Sequence, residues 1–206
     1  TPGYNCLFEP EVNVATSLRQ PGSSFKPYAY VTAFGPKFGY GPTSRILDVP
    51  KNFSALGSPA YIPKNYDGSS RGWMTMRKAL AGSLNVPAVR TLALVGIDNV
   101  IATAKGLGLT TPLQNCGLTL VLGGCEVKLV DHTAAFGALA NGGKNNGNTG
   151  IMRIENKYGH TLESYSPKNS QIVDQQAAYS LISIMTDNNA REFVFGPKAP
   201  LYLDWQ

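Results

Sequence analysis

Arg19-Gln20-Pro21-Gly22-Ser23-Ser24-Phe25-Lys26-Pro27 (RQPGSSFKP) puts two prolines, a glycine, two hydroxyls and a lysine into nine residues. The Pro-Gly pair ends the extended chain before it. A helix is expected from near Ser23 through Tyr28, Tyr30 and Val31 to about Phe34. In such a helix Ser23 and Lys26, three apart, share one face, close enough for the amine to touch the hydroxyl. Pro27 does not oppose this, because the first N–H groups of a helix have no intrahelical partner to lose. A serine at a helix start also has its own N–H free to face a developing oxyanion, where the helix dipole favours negative charge. A lysine desolvated beside Phe25 gives up its proton more readily and can act as a base toward the serine. Ser24, two before Lys26, faces elsewhere. Alone, Ser-x-x-Lys is a short pattern that also arises by chance.

The chain has 206 residues, enough for one substantial domain with its own core. With 43% hydrophobic and 15% charged residues it reads as a folded globular protein. Its formal net charge of +5 is dispersed, with no basic run or aromatic-interleaved stripe, so nucleic acid is not an expected partner. Cys116 and Cys125 flank Gly117 to Gly124 and can pair in an oxidising compartment, leaving Cys6 alone. There is no Cys-x-x-Cys, and His132 and His160 stand apart, so no metal site is expected. The longest apolar runs, such as Leu118 to Leu122, are far too short to cross a bilayer.

Residues 35–72 are rich in Gly, Pro, Ser and Asn and read as a long turn-rich excursion. Thr75 opens a helical stretch, TMRKALAGSL, that Asn85-Val86-Pro87 interrupts before AVRTLALVG resumes it. IDNVIATAKGLGL is amphipathic, with Asp98 or Asn99 as its cap. In EVKLVDHTAAFGALANGG, Val127, Val130, Ala134, Phe136 and Leu139 fall at helical spacing before an Asn-Gly-Gly stop. IMRIENKYGHTLESY alternates around a turn and reads as a β-hairpin, and a last helix covers roughly Asp174 to Met185.

A second polar cluster follows sixty positions after the first. In ALAGSLNVPAV, Ser83 and Asn85 leave a helix just before Pro87, where a hydroxyl and an amide can line a cleft; a helix cap is the plainer reading of these two. Taken in order, RQPGSSFKP, YIPKNYDG, MRKALAGSLNVPAVRTL and LTLVLGGCEVKLVDHTAAFGALANGG resemble the transpeptidase domain of class A (bifunctional) penicillin-binding proteins. The resemblance runs from Asn13 to about Leu203, and LGGCEVKLV fits class A better than class B. NNAREFVFG is similar to the family's approach to its third motif. Ser23/Lys26 and Ser83/Asn85 match the family's first two motifs, Ser-x-x-Lys and Ser-x-Asn. The resemblance implies an α+β fold, here mostly the helical subdomain. It implies that Ser23 is the nucleophile, Lys26 its base, Ser83 a proton relay and Asn85 a binder of the substrate's amide. The implied activity is D,D-transpeptidation of peptidoglycan stem peptides, with acylation by β-lactams and no cofactor. The implied parent is anchored to the bacterial cytoplasmic membrane with this domain on its outer side and a glycosyltransferase domain upstream. Neither Lys-Thr-Gly nor Lys-Ser-Gly occurs in the sequence. Residues 1–206 are thus expected to be a partial transpeptidase domain, lacking N-terminal strands and the Lys-Thr-Gly strand region.

Two other readings differ in chemistry. A serine β-lactamase shares both motifs but needs a glutamate to activate deacylating water, and Glu126 is the candidate. A non-enzymatic β-lactam sensor or degenerate scaffold fits the missing third motif. Tyr66 and Asp67 read as a turn, Trp73 and Phe136 as core, and His132 as a satisfied packing residue.

Overall fold

The computed structural model describes residues 12–54 and 59–197; Cys6 and the segment after Pro197 lie outside the described residues. The RQPGSSFKP stretch folds as a short strand β1 (Leu18–Arg19), a 3-10 turn (Gly22–Phe25) and helix α1 (Lys26–Phe34). The expected helix is therefore present, with a tighter first turn. Helix α1 is apolar nearly all round and is buried at every position except Thr32, as a helix without a polar face must be.

The excursion over 35–72 contains β2 (Arg45–Asp48), which pairs antiparallel with β3 (Gly72–Thr75). Neither strand was expected, because four-residue strands among glycines and prolines give little alternation to read. Thr75 caps α2 (Met76–Ala81), its hydroxyl accepting from the Lys78 N–H. The break in the next helical stretch falls at Gly82–Leu84, not at Asn85–Pro87: α3 (Asn85–Val95) begins at Asn85 and takes Pro87 into its first turn. Proline there forfeits no intrahelical bond.

Helix α4 (Ile97–Leu107) is preceded by Gly96, and neither Asp98 nor Asn99 caps it; Asn99 donates instead to the Val95 carbonyl at 2.7 Å. A second 3-10 turn (Gly117–Leu122) is closed by a disulfide between Cys116 and Cys125, whose Cα atoms are 5.8 Å apart. Strand β4 (Val127–Lys128) pairs with β1 and leads into α5 (Leu129–Ala140). Strands β5 (Lys144–Asn145) and β8 (Ser170–Gln171) pair around the expected hairpin, β6 (Arg153–Glu155) with β7 (Thr161–Ser164). Asp174 caps α6 (Gln175–Met185) through two backbone N–H groups. A further helix, α7 (Asn188–Phe195), is formed by the NNAREFVF segment and capped by Asp187.

The strands form small two-stranded sheets on a helical body. Its core joins Phe25, Tyr28 and Val31 of the first helical segment to Leu92, Ala104, Leu120, Leu139, Leu181 and Ile184 of the elements around it. Phe136 packs against this core, whereas Trp73 is 62% exposed, contrary to its expected place inside. On β3 its side chain points away from the face that buries Met74.

The turn before α1 is held from one side by backbone. Gly123 ends the second 3-10 turn at φ +80°, and a Cβ there would lie 2.2 Å from the nitrogen of Gly22, itself at φ +58°. Only glycine permits both the left-handed backbone and this approach. Gly123→Ala is expected to destabilise the protein by roughly 2–4 kcal/mol, combining strained φ with a clash against main chain. A thermal midpoint within a degree of wild type would contradict this.

Candidate active site

In a 3-10 turn, residues three apart eclipse one another. That geometry aligns Ser23 with Lys26, and the Lys26 N–H bonds back to the Ser23 carbonyl. Ser23 is exposed, while Lys26 is 1% exposed. Both line a cavity of about 290 Å³ with Ser24 and Pro27. Its other walls are Leu80 and Ala81 at the end of α2, Ser83 just after it, Ile184 and Met185 on α6, and Arg191 and Phe195 on α7.

The Lys26 amine makes three hydrogen bonds: to Asn85 Oδ1 at 2.8 Å, to the Ser83 carbonyl at 2.5 Å and to Ser83 Oγ at 3.1 Å. None goes to Ser23, so the direct amine–hydroxyl contact expected from spacing is replaced by one bridging the first and second motifs. All three acceptors are neutral oxygens. Burial without a compensating carboxylate disfavours the ammonium form and lowers the lysine pKa to about 8.

Ser83 reaches Lys26 through an unusual backbone. Its φ is +52°, a left-handed conformation rare for a residue with a side chain. There, both its carbonyl and its hydroxyl meet the same amine. The longest of the lysine's bonds is the one to the Ser83 hydroxyl, the only acceptor of the three that also carries a proton. When the amine is neutral, that contact can reverse, the hydroxyl donating to nitrogen.

Asn85 is placed by residues that the sequence reading passed over. Asn65, 5% exposed, accepts from the backbone N–H groups of Asn85 and Val86 at 2.9 and 3.2 Å, capping α3 from a distant loop. Its amide nitrogen donates to both oxygens of Asp48, which is fully buried, at 2.8 and 2.9 Å. The backbone N–H of Arg71 also donates to Asp48, at 3.1 Å. The Asn85 amide nitrogen donates to the Lys64 carbonyl at 2.9 Å, which leaves its oxygen turned to Lys26. The PKN run that supplies Lys64 and Asn65 carries part of the family resemblance, yet only the fold shows Asn65 under the second motif. Arg191, 7% exposed, was likewise not singled out; it donates to the Met185 carbonyl and brings positive charge to the cavity wall.

Tyr66 is wholly exposed, and Asp67 forms a turn with Ser69 and an ion pair with Arg71, in keeping with the turn expected for both. Glu126 is exposed and is not among the residues lining the cavity. Among the described residues, no group of three or more His, Cys, Asp or Glu side chains is placed to hold a metal ion.

The architecture is shared with solved penicillin-binding proteins. Penicillin-binding protein 1A from Haemophilus influenzae superposes with a TM-score of 0.79 at 22% identity, over 95% of this chain and 33% of that one. PBPA from Mycobacterium tuberculosis gives 0.76 at 19%, over 94% and 49%. Among sequence relatives, penicillin-binding protein 2D of Bacillus subtilis is 34% identical over 171 residues, 82% of this chain and 24% of the relative. Penicillin-binding protein 1C of Escherichia coli is 37% identical over 147 residues, 70% of this chain and 18% of that protein. No family model matches. The chain is homologous to class A penicillin-binding proteins, and its α+β fold is that of part of their transpeptidase domain. It spans about a quarter or less of the length of these two relatives.

Asn65→Ala removes two of the hydrogen bonds to the buried Asp48 carboxylate, leaving it the Arg71 N–H, and strips two N–H groups of α3 of their acceptor. The expected cost is about 2–4 kcal/mol, the range for unsatisfied buried groups plus a lost cap. Chemical denaturation checks it; a loss below roughly 0.5 kcal/mol, the scale of an ordinary surface change, would contradict it.

Proposed function

We propose that this chain carries the acylation centre of a peptidoglycan D,D-transpeptidase, which β-lactams also acylate. The observation that supports this reading best is the desolvated Lys26 amine, bonded to Ser83 and Asn85 and sharing one cavity with an exposed Ser23. Neutral Lys26 takes the Ser23 hydroxyl proton as Oγ attacks the carbonyl between the two terminal D-alanines of a stem peptide. The C–N bond then breaks. The proton passes from Lys26 through Ser83 to the departing D-alanine nitrogen, leaving an ester on Ser23. An amine of a neighbouring strand attacks that ester, forms the new amide and releases Ser23 with its proton restored.

Lys26 and Ser23 need not touch in the resting state for this to work, because catalytic contacts often tighten only with substrate bound. Asn85 holds the substrate's backbone amide with whatever bonding capacity Lys26 leaves it. Arg191 supplies positive charge toward the substrate's terminal carboxylate, a charge-assisted interaction. A β-lactam presents a similar acyl donor within a strained ring, and its ring nitrogen stays tethered, so the adduct persists. The exposed position of Glu126, away from the cavity, favours retention of that adduct over the hydrolysis a β-lactamase performs. The wider reading follows the family: a membrane-anchored parent, this region on the outer side of the bacterial cytoplasmic membrane, and a glycosyltransferase domain upstream. Residues 1–206 themselves would be one part of the transpeptidase domain. No single helix among the described residues is long and apolar enough to cross a membrane.

Intact-mass spectrometry after incubation with a penicillin tests the reading. The expected result is an adduct of the whole drug's mass that persists for minutes and is absent from Ser23→Ala. Failure of both this chain and longer forms of the protein to take up drug would refute it, as would an adduct on Ser23→Ala.

A further inference from the structure

The mechanism above leaves unused a buried histidine behind the nucleophile. His132 on α5 is 8% exposed, its ring against Tyr28 at 5.6 Å and edge-on to Phe136 at 5.1 Å between centroids. Both ring nitrogens are engaged. Nε2 lies 2.8 Å from Ser24 Oγ, and Nδ1 lies 2.9 Å from the Tyr28 hydroxyl. Ser24 Oγ in turn lies 2.6 Å from the Pro21 carbonyl oxygen.

A count of protons orients this series. A carbonyl only accepts, so the single hydroxyl proton of Ser24 goes to Pro21. Ser24 must then accept from His132, which places the imidazole proton on Nε2. A neutral imidazole has one N–H, so Nδ1 accepts and Tyr28 donates. Burial raises the Tyr28 pKa and lowers that of His132, so the phenol keeps its proton and the ring stays neutral, as this arrangement needs. The donors run in one direction: Tyr28 O–H to His132 Nδ1, His132 Nε2–H to Ser24 Oγ, and Ser24 O–H to the carbonyl of Pro21.

We propose that Tyr28, His132 and Ser24 form a positioning chain that sets the Pro21–Phe25 turn and thereby the aim of Ser23 at Lys26. The inference rests on the reading of Ser23 as nucleophile. Pro21 is the residue from which the 3-10 turn springs, so a bond to its carbonyl fixes the turn at its root. The Gly22–Gly123 contact holds the following residue, so the backbone leading into Ser23 is gripped at two successive positions. The same contacts admit a rival arrangement with Ser24 as nucleophile and His132 as its base. That would require Ser24 to turn its proton to Nε2 and Nδ1 to carry the N–H. Tyr28 would then have to accept from Nδ1–H, and its own proton would have no acceptor among the described residues.

Two measurements on this chain test the proposal. Nitrogen-15 NMR of the imidazole is expected to show His132 as the Nε2–H tautomer, with that preference lost in Tyr28→Phe; an Nδ1–H tautomer or an imidazolium at neutral pH overturns it. Penicillin acylation is then followed at rising drug concentration, alongside thermal midpoints, in wild type, His132→Leu and His132→Gln. His132→Leu should acylate about tenfold more slowly at saturation, the scale of one oriented hydrogen bond, with the half-saturating concentration unchanged. His132→Gln should recover most of the rate, because its amide N–H can reach Ser24. Wild-type rates in His132→Leu overturn the proposal. So does a glutamine variant as slow as leucine with both midpoints lowered, which marks a purely structural role. Drug uptake retained in Ser23→Ala and lost in Ser24→Ala establishes the rival arrangement. Failure of wild type to acylate, in this chain and in longer forms of the protein alike, refutes the underlying reading and the proposal with it, whereas failure of the proposal alone appears only in the variants.

Discussion

A primary amine has been taken out of water and given only neutral oxygens in return. Lys26 sits 1% exposed, with Asn85 and Ser83 as its acceptors. Burying a charge without a counter-charge is costly, and the group responds by surrendering its proton more easily. Most other features of the site serve to make that arrangement stable. The lysine has to start a helix that is buried nearly all round, and the second motif has to be brought to it from fifty-seven positions away along the chain.

The delivery of that second motif is a matter of polar bookkeeping in the interior. Ser83 occupies a left-handed backbone position that would be unfavourable in isolation. It persists because Asn65 caps α3 immediately downstream and is itself anchored on the buried Asp48 carboxylate. The serine side of the cavity is built differently. There, a glycine-to-glycine backbone approach and the Tyr28–His132–Ser24 series hold a short 3-10 turn, and the disulfide between Cys116 and Cys125 closes the loop that carries Gly123. One half of the site is thus shaped by hydrogen bonds to a buried carboxylate and the other by close packing and an oriented imidazole.

Much of this was legible in the sequence, and what was missed has a physical reason. Helices α1, α5 and α6 are long or strongly marked by periodicity and caps, and the hairpin alternates cleanly. The burial of Lys26 followed from its place between Phe25 and Pro27 at the start of an apolar helix. Strands β2 and β3 were not legible, being four residues each and paired with one another across a long turn-rich segment. The break between α2 and α3 was misplaced because Pro87 looks like a helix breaker, although in a first turn it is not one. Trp73 looked like core by its size, but strand alternation turns it outward. Asn65, Arg191 and the Ser24–His132 contact depend on residues brought together over long separations, a kind of information that local patterns do not carry. His132 was read as a satisfied packing residue; both its nitrogens are indeed bonded, and the partners it satisfies are what give it meaning.

The most direct test of this account is a titration of the Lys26 amine itself, by heteronuclear NMR with the signal assigned through Lys26→Arg. A midpoint at about 8 is expected, far below an ordinary lysine, because the amine is desolvated among neutral acceptors. A midpoint near the ordinary value of 10.5 would contradict it. The amine would then be an ammonium held for structure, and no base would stand beside Ser23.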